Sequence, residues 1–284
     1  MRLFLVGAGT PVPTRTRFGT CQVLAVSGDH LMFDCGPAAT HKLVQMGLSP
    51  TQIDCLFLSH HHYDHNADYA CFLLTRWNLS TGREQPLRVW GPPPTESFSE
   101  RLIGAEGAFA ADWMARTRHP DSLLHYAEVG GVGPRPAPQV EVHDVEPGRI
   151  AEGHGWVVTA APAKHQEPWL RSLAYRVDSA EGSIVFAGDT VSCEALAELA
   201  RGADTLVVSC WDHQHALGIS EVPSIMGTLD TARFAQQTGV KRLVLTHIHE
   251  PLDRPGSGEK AIADIAGLYG GEILFGQELS VYDL

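Results

Sequence analysis

The residues best suited to chemistry stand together. Positions 59–68 read SHHHYDHNAD, directly after the apolar run IDCLFL. His60, His62, Asp64 and His65 present imidazole nitrogen and carboxylate oxygen, both good zinc ligands, with imidazole bonds of about 2.0–2.1 Å. In a loop leaving a buried strand, alternate side chains can turn to one side. His60 and His62 can then hold one cation, and Asp64 with His65 a second. Each cation needs further ligands from elsewhere in the chain. Three residues end other apolar runs in the same manner: His165 after VVTAAPAK, Asp189 after IVFAG and His247 after LVLT. Together these seven residues suffice for two cations with Asp189 between them, and such ion pairs typically lie about 3.5–4 Å apart.

Strands and turns must bring these residues together. RLFLVGAGT reads as a strand closed by glycines, and CQVLAVSGDHLMFDCG as two strands around a Ser-Gly-Asp turn. AATHKLVQMGL has helical spacing. IDCLFLS is a continuous apolar strand of the buried kind, and ADYACFLLTRWNL after the histidines is a helix. PLRVWGPP is a strand stopped by prolines. Residues 95–140 break the pattern, with one or two helices in ESFSERLIGAEGAFAADWMARTR and an irregular Gly/Pro stretch, VGGVGPRPAPQ. Strands resume at QVEVHDVE, GWVVTAAPAKH, SLAYRVD and GSIVFAGD. A helix SCEALAELARG, a strand DTLVVSC, a helix IMGTLDTARFAQQTG and a strand KRLVLTHI follow. EKAIADIAGLYG is a last helix, and EILF and LSVYDL are last strands. The two halves look alike, which predicts two sheets packed together with helices outside.

The 284 residues suit one large α/β domain, read as residues 1–284 with 95–140 as an insertion or lid-like segment within it. No run of 18 apolar residues occurs, so no transmembrane helix and no membrane partner are expected. The N-terminus lacks signal-peptide character and six scattered cysteines include no C-x-x-C pair, so a cytoplasmic, reduced protein is expected. The formal charge is −12 and the basic residues are dispersed, which argues against a nucleic-acid partner.

The stretches LFLVGAGTPVPTRTRFGT, MFDCG, LSHHHYDH, VWGPP, SLAYRV, VFAGDT and LVLTHI together resemble the metallo-β-lactamase superfamily, in its ribonuclease Z-like branch. The resemblance spans nearly the whole chain outside residues 95–140. It implies an α/β, four-layer αββα sandwich with a metal site along one edge. It implies that His60, His62 and His165 hold one zinc, that Asp64, His65 and His247 hold another, and that Asp189 bridges. Two zinc ions per chain are the expected cofactor, with manganese or iron as alternatives. The implied chemistry is hydrolysis by metal-bound hydroxide. Asp64 would orient the nucleophile, and His249, two residues past His247, is the best-placed proton donor for the leaving group. His61 should point away from the metals.

The chain also departs from that branch. SLAYRVDSAEGSIVFAGDT joins two strands by a short turn where ribonuclease Z enzymes carry a long tRNA-gripping arm. Val208 and Ser209 stand at the His-Glu of a His-Glu-Ala-Thr stretch, and Gly227 where a His-Ser-Thr stretch begins. Phe98, Phe109, Trp113, Tyr126, Trp169, Arg171, Trp211, His213 and His215 suit a small-molecule pocket. These features lead to the expectation of a small organic substrate: an ester, lactone, sulfate ester or phosphodiester, with hydrolytic dehalogenation more remote. The alternatives are a ribonuclease Z-type endonuclease on tRNA precursors and, in another class, an iron-binding redox or regulatory protein. Relatives of this kind often dimerise, so a homodimer is an open expectation.

Overall fold

The computed structural model describes residues 1–217 and 224–284. Its strands are β1 (Arg2–Ala8), β2 (Thr20–Val26), β3 (Asp29–Phe33), β4 (Ile53–Phe57), β5 (Leu87–Gly91) and β6 (Val140–Asp144) in the first half. The second half has β7 (Gly148–Gly153), β8 (Trp156–Ala163), β9 (Ser172–Ser179), β10 (Gly182–Phe186), β11 (Thr205–Ser209), β12 (Arg242–Thr246) and β13 (Glu272–Phe275), and the chain ends in β14 (Ser280–Asp283). The strands form two seven-stranded sheets, β14-β1-β2-β3-β4-β5-β6, in which the last strand joins the six of the first half, and β13-β12-β11-β10-β9-β8-β7. In both sheets, antiparallel strands give way to parallel ones, at β3–β4 and at β10–β11.

The sheets pack face to face because one face of each strand set is apolar. Phe33, Phe57 and Trp90 of the first sheet meet Tyr175, Phe186, Val207 and Val244 of the second in one buried cluster. Phe33 stacks on Phe186 with ring centroids 3.8 Å apart, and Phe57 on Trp90 at 4.9 Å. Two further clusters fill the outer faces. Leu43, Phe72 and Leu73 cover the first sheet, and Leu196, Phe234 and Ile265 the second. The αββα sandwich expected from the sequence is therefore the observed fold. Among the described residues, no helix is long and apolar enough to cross a membrane.

Three local expectations needed revision. The strand β7 was missed because it is a sheet edge, paired only with β8 and largely exposed, so it carries no apolar run. The helix read from Ile225 starts at Thr228, after the extended Gly227. Residues 95–140 hold three helices, Thr95–Ile103, Ala110–Arg118 and Pro120–Glu128, the last opened by a proline at its first turn.

The insertion's contacts place it in the outer helical layer. Arg135 lies over the Trp77 ring at 4.0 Å and donates to Asn78, both on helix Tyr69–Leu79. Tyr126 donates to Glu84, Trp113 to the Ile103 carbonyl, and Phe98 packs on Tyr69. None of these bonds reaches the seven candidate ligands. Phe98 and Tyr126, two of the aromatic residues expected to line a pocket, thus fasten the insertion to the sandwich.

Candidate metal centre

All the candidate ligands sit at the C-terminal ends of strands, along one edge of the sandwich. The loop after β4 carries four of them. A single turn of helix, Tyr63–Asn66, lifts Asp64 and His65 beside His60 and His62. The loop after β3 holds that turn in place: the Cys35 amide donates to the His65 carbonyl at 2.7 Å. Gly36 is required there. A Cβ on it would lie 2.1 Å from the Asp64 carbonyl oxygen and 2.6 Å from the Thr20 amide nitrogen. The second sheet contributes His165 after β8, Asp189 after β10 and His247 after β12.

These seven residues fall into three overlapping groups: His60, His62 and His165; His60, His65 and Asp189; Asp64, His65 and His247. Within each group the ligand atoms lie within 4.8 Å of one another. Six of the seven are buried, and His62 is half-buried. The first and third groups coincide with the two ligand sets implied by the resemblance, and Asp189 lies beside both His65 and His247, at 3.6 Å and 3.1 Å.

The surrounding hydrogen bonds fix the histidines as lone-pair donors. A carboxylate or carbonyl oxygen only accepts, so His65 Nδ1–H donates to Asp34 Oδ2 at 2.7 Å and His165 Nδ1–H to the Ser224 carbonyl at 2.7 Å. Ser59 Oγ gives its one proton to Asp34 Oδ2 at 2.8 Å and accepts from His60 Nδ1–H at 3.0 Å. In the neutral rings, Nε2 of His60, His65 and His165 therefore turns a lone pair toward the centre. His62 Nδ1 lies 3.1 Å from His60 Nε2 and 3.3 Å from His165 Nε2, so three ring nitrogens converge with too few protons between them. Asp64 Oδ1 and His65 Nε2 are buried without a hydrogen-bond partner among the described residues. Two buried carboxylates and converging lone pairs are a donor set for cations.

Electrostatics agree. Burial, reinforced by neighbouring His65, holds His60 well below the ordinary histidine pKa, so it is neutral. Burial alone would raise the pKa of Asp189, but the charges of His247 and His65 outweigh it and hold the group well below the usual range. Burial also opposes ionisation of Asp64, and the His247 hydrogen bond overcomes it. For His65 burial acts downward, yet Asp34 and Asp189 hold its pKa well above the ordinary value, so a cation there competes with a proton. His247 adopts a left-handed backbone with φ of 54°, and Asp34 one with φ of 60°. Such conformations cost on the order of 1–3 kcal/mol and gather at functional sites.

His249 lies outside the three ligand groups but beside them. Its ring stacks on Trp211 at 4.7 Å, and Trp211 in turn lies 5.5 Å from the His247 ring. His249 Nδ1 is 3.5 Å from Asp212 Oδ2. His61 turns away, toward Thr95 Oγ1 at 2.9 Å and the Pro92 carbonyl at 3.1 Å. Sequence reasoning gave no part in the site to Asp34, Ser59, Ser209 and Ser224, which hydrogen-bond to candidate ligands. Asp34 had a usable signal, since it ends the apolar run LMF as Asp189 ends IVFAG.

Comparison with known proteins sharpens this picture. The family model described as a beta-lactamase superfamily domain matches residues 30–248. Ribonuclease Z of Mycobacterium sp. strain KMS is 32% identical over 283 residues, covering 97% of this chain and 93% of that protein. Ribonuclease Z of Mycolicibacterium gilvum is 30% identical, with 97% and 93% covered. Among solved structures, the metallo-beta-lactamase fold protein YhfI from Bacillus subtilis superposes with a TM-score of 0.76 at 17% identity, covering 99% and 98% of the chains. The short form of human tRNase Z superposes with a TM-score of 0.71 at 20% identity, covering 100% and 99%.

These relatives overturn the expectation of a small-molecule substrate with no nucleic-acid partner. Proteins named for acting on RNA align with this chain nearly end to end, which leaves no room for a long arm that they have and this chain lacks. The net charge misled for a physical reason. It sums the whole surface, whereas RNA responds to the field near the site, where divalent cations would dominate.

Proposed function

Because the chain belongs to the beta-lactamase superfamily, in its ribonuclease Z-like branch and hence among metallo-β-lactamase-fold hydrolases, we propose that it is a zinc-dependent RNA endonuclease acting on tRNA precursors. One observation carries this reading: the ligand groups converge in a chain that matches curated ribonucleases Z over nearly its full length. His60, His62 and His165 would hold one zinc ion, Asp64, His65 and His247 the other, with Asp189 between them. Bound there, the ions supply Lewis acidity and lower the pKa of water toward neutrality.

The chain's own residues position the reactants. Asp64 Oδ2 lies toward His247 Nε2, at 3.1 Å, while Oδ1 has no partner among the described residues. Oδ1 is therefore the atom that accepts a hydrogen bond from the attacking water and aligns it with phosphorus. His249, held by Trp211 and facing Asp212, donates the proton that the leaving oxygen requires. The six cysteines are free thiols, which suits the reducing cytoplasm.

The test is incubation of zinc-loaded protein with a precursor tRNA carrying a 3′ trailer. The expected result is site-specific cleavage near the 3′ end, lost in His62→Ala. A fully metal-loaded protein that leaves the precursor intact, even at low salt where binding is most favoured, would overturn the reading.

A further inference from the structure

We infer that Ser209 is a positioning residue, which fixes the oxygen of Asp189 that faces the histidines. Ser209 is the last residue of β11 and is buried. Register places it between two ligand-bearing loops. On one side β11 runs parallel to β10, with Ala187 N donating to the Val207 carbonyl just before Asp189. On the other side Ser209 pairs with Thr246, the residue before His247.

The side-chain geometry follows from that place. Ser209 Oγ lies 2.7 Å from Asp189 Oδ1 and 2.6 Å from the Gly188 carbonyl oxygen. The hydroxyl has one proton for these two acceptors, and the carboxylate, being charged, is the stronger. Asp189 Oδ1 is thereby engaged. Oδ2 is left toward His247 Nε2 at 3.1 Å and His65 Nε2 at 3.6 Å. A carboxylate rotated about its Cβ–Cγ bond would exchange the two oxygens, and the Ser209 bond opposes that rotation. The small serine thus occupies the position where the resemblance led one to expect glutamate, and it gives that position a different task.

This inference rests on the metal-site reading and is independent of whether the substrate is RNA. Its test is zinc titration of Ser209→Ala and Ser209→Thr against a chromogenic chelator, with metal content counted after desalting. Melting temperatures of the chelator-treated proteins are measured alongside. Groups that orient metal ligands typically contribute about 10–100-fold to affinity. Ser209→Ala should lose about that much at the ion or ions that need Asp189. Affinity at His60, His62 and His165 should change least, and Ser209→Thr, which keeps the hydroxyl, should restore binding. Wild-type affinities in Ser209→Ala would overturn the inference. So would a lowered chelator-treated melting temperature with unchanged zinc affinity, which marks a purely structural role. A wild-type protein that takes up no zinc would overturn the metal-site reading itself, and this inference with it.

Discussion

The two halves of the molecule supply the same site in different ways. The first sheet delivers four candidate ligands from a single loop after β4, braced by the loop after β3. The second sheet delivers three, each from a different strand end, after β8, β10 and β12. Both halves follow the same order of antiparallel then parallel strands, so the strand ends of both halves face one edge. The difference lies in how position is enforced. In the first half, local chain geometry fixes the ligands. In the second half, register across the sheet does so, as when Ser209 pairs with Thr246. A contiguous loop can keep part of its ligand set when one member is lost, whereas each dispersed ligand is its half's sole contribution to a given group.

The largest effect should come from Asp189, the dispersed residue that shares a ligand group with His60 of the one set and His65 of the other. Removing one member of a buried ionic set typically costs about 3–5 kcal/mol, or roughly 150–5,000-fold in affinity. Asp189→Ala should lose affinity on that scale for both ions, with the proposed RNA cleavage abolished. His247→Ala should still retain one ion per chain on His60, His62 and His165. Metal counting after zinc loading separates these outcomes. Equal loss in the two variants would show that the groups do not act separately.

Next in size is a pair of glycines at matching places in the two halves. Gly36 admits the Asp64 carbonyl so closely that a Cβ would sit 2.1 Å from it, against backbone that cannot yield. Gly188 has φ of 62° and a hypothetical Cβ 2.9 Å from the Ser59 Cβ, a milder conflict. Overpacking typically costs about 1–3 kcal/mol and occasionally more. Gly36→Ala should reach or pass the top of that range in chemical denaturation of the chelator-treated protein, and Gly188→Ala should fall below it. The reverse order would contradict the claim that the first half is fixed by local chain geometry.

The same contrast explains what the sequence made legible. His60, His62, Asp64 and His65 announced themselves because a short loop must carry its ligands close together in the chain. His165, Asp189 and His247 were found only by asking which polar residues end apolar runs, since nothing local marks them. Ser209 stood out only as a departure from the relatives, and Ser224 escaped altogether. Their roles depend on register and on a carbonyl, and neither leaves a mark on residue type. The sandwich was readable from its apolar runs, while β7 was not, because an exposed edge strand needs no apolar face. Substrate class was read wrongly from net charge, a global sum applied to a local question.

The smallest predicted effect lies at the opposite ends of the strands, where each half ties down its first parallel strand beyond the antiparallel set. In the first half Asp54 of β4 pairs with Arg76. In the second, Asp204 precedes β11 and joins its neighbours. Its Oδ2 accepts from Ser183 N at 2.8 Å and Ser183 Oγ at 3.0 Å on β10, and its Oδ1 from Lys241 Nζ at 2.6 Å. The Lys241 hydrogen bond foremost holds the Asp204 carboxyl below the ordinary range, against the opposing effect of burial. The folded-state pKa is therefore below the unfolded value. The stabilisation is present in full above the unfolded pKa, near 4, and is lost as pH falls through the folded value. The Asp204 side chain is 38% exposed, so solvent screening limits its pairing with Lys241 to about 0.2–1 kcal/mol. Asp204→Asn should thus cost about that much at pH 7 in urea denaturation, and the difference from wild type should shrink as pH drops below 4. Metal content should not change, because this tie stands at the far end of the sheet from the ligands. A stability difference that grew on acidification would show that the carboxylate is not the stabilising form. A loss of bound zinc would show that the two ends of the second sheet are coupled through register more tightly than the comparison of halves allows.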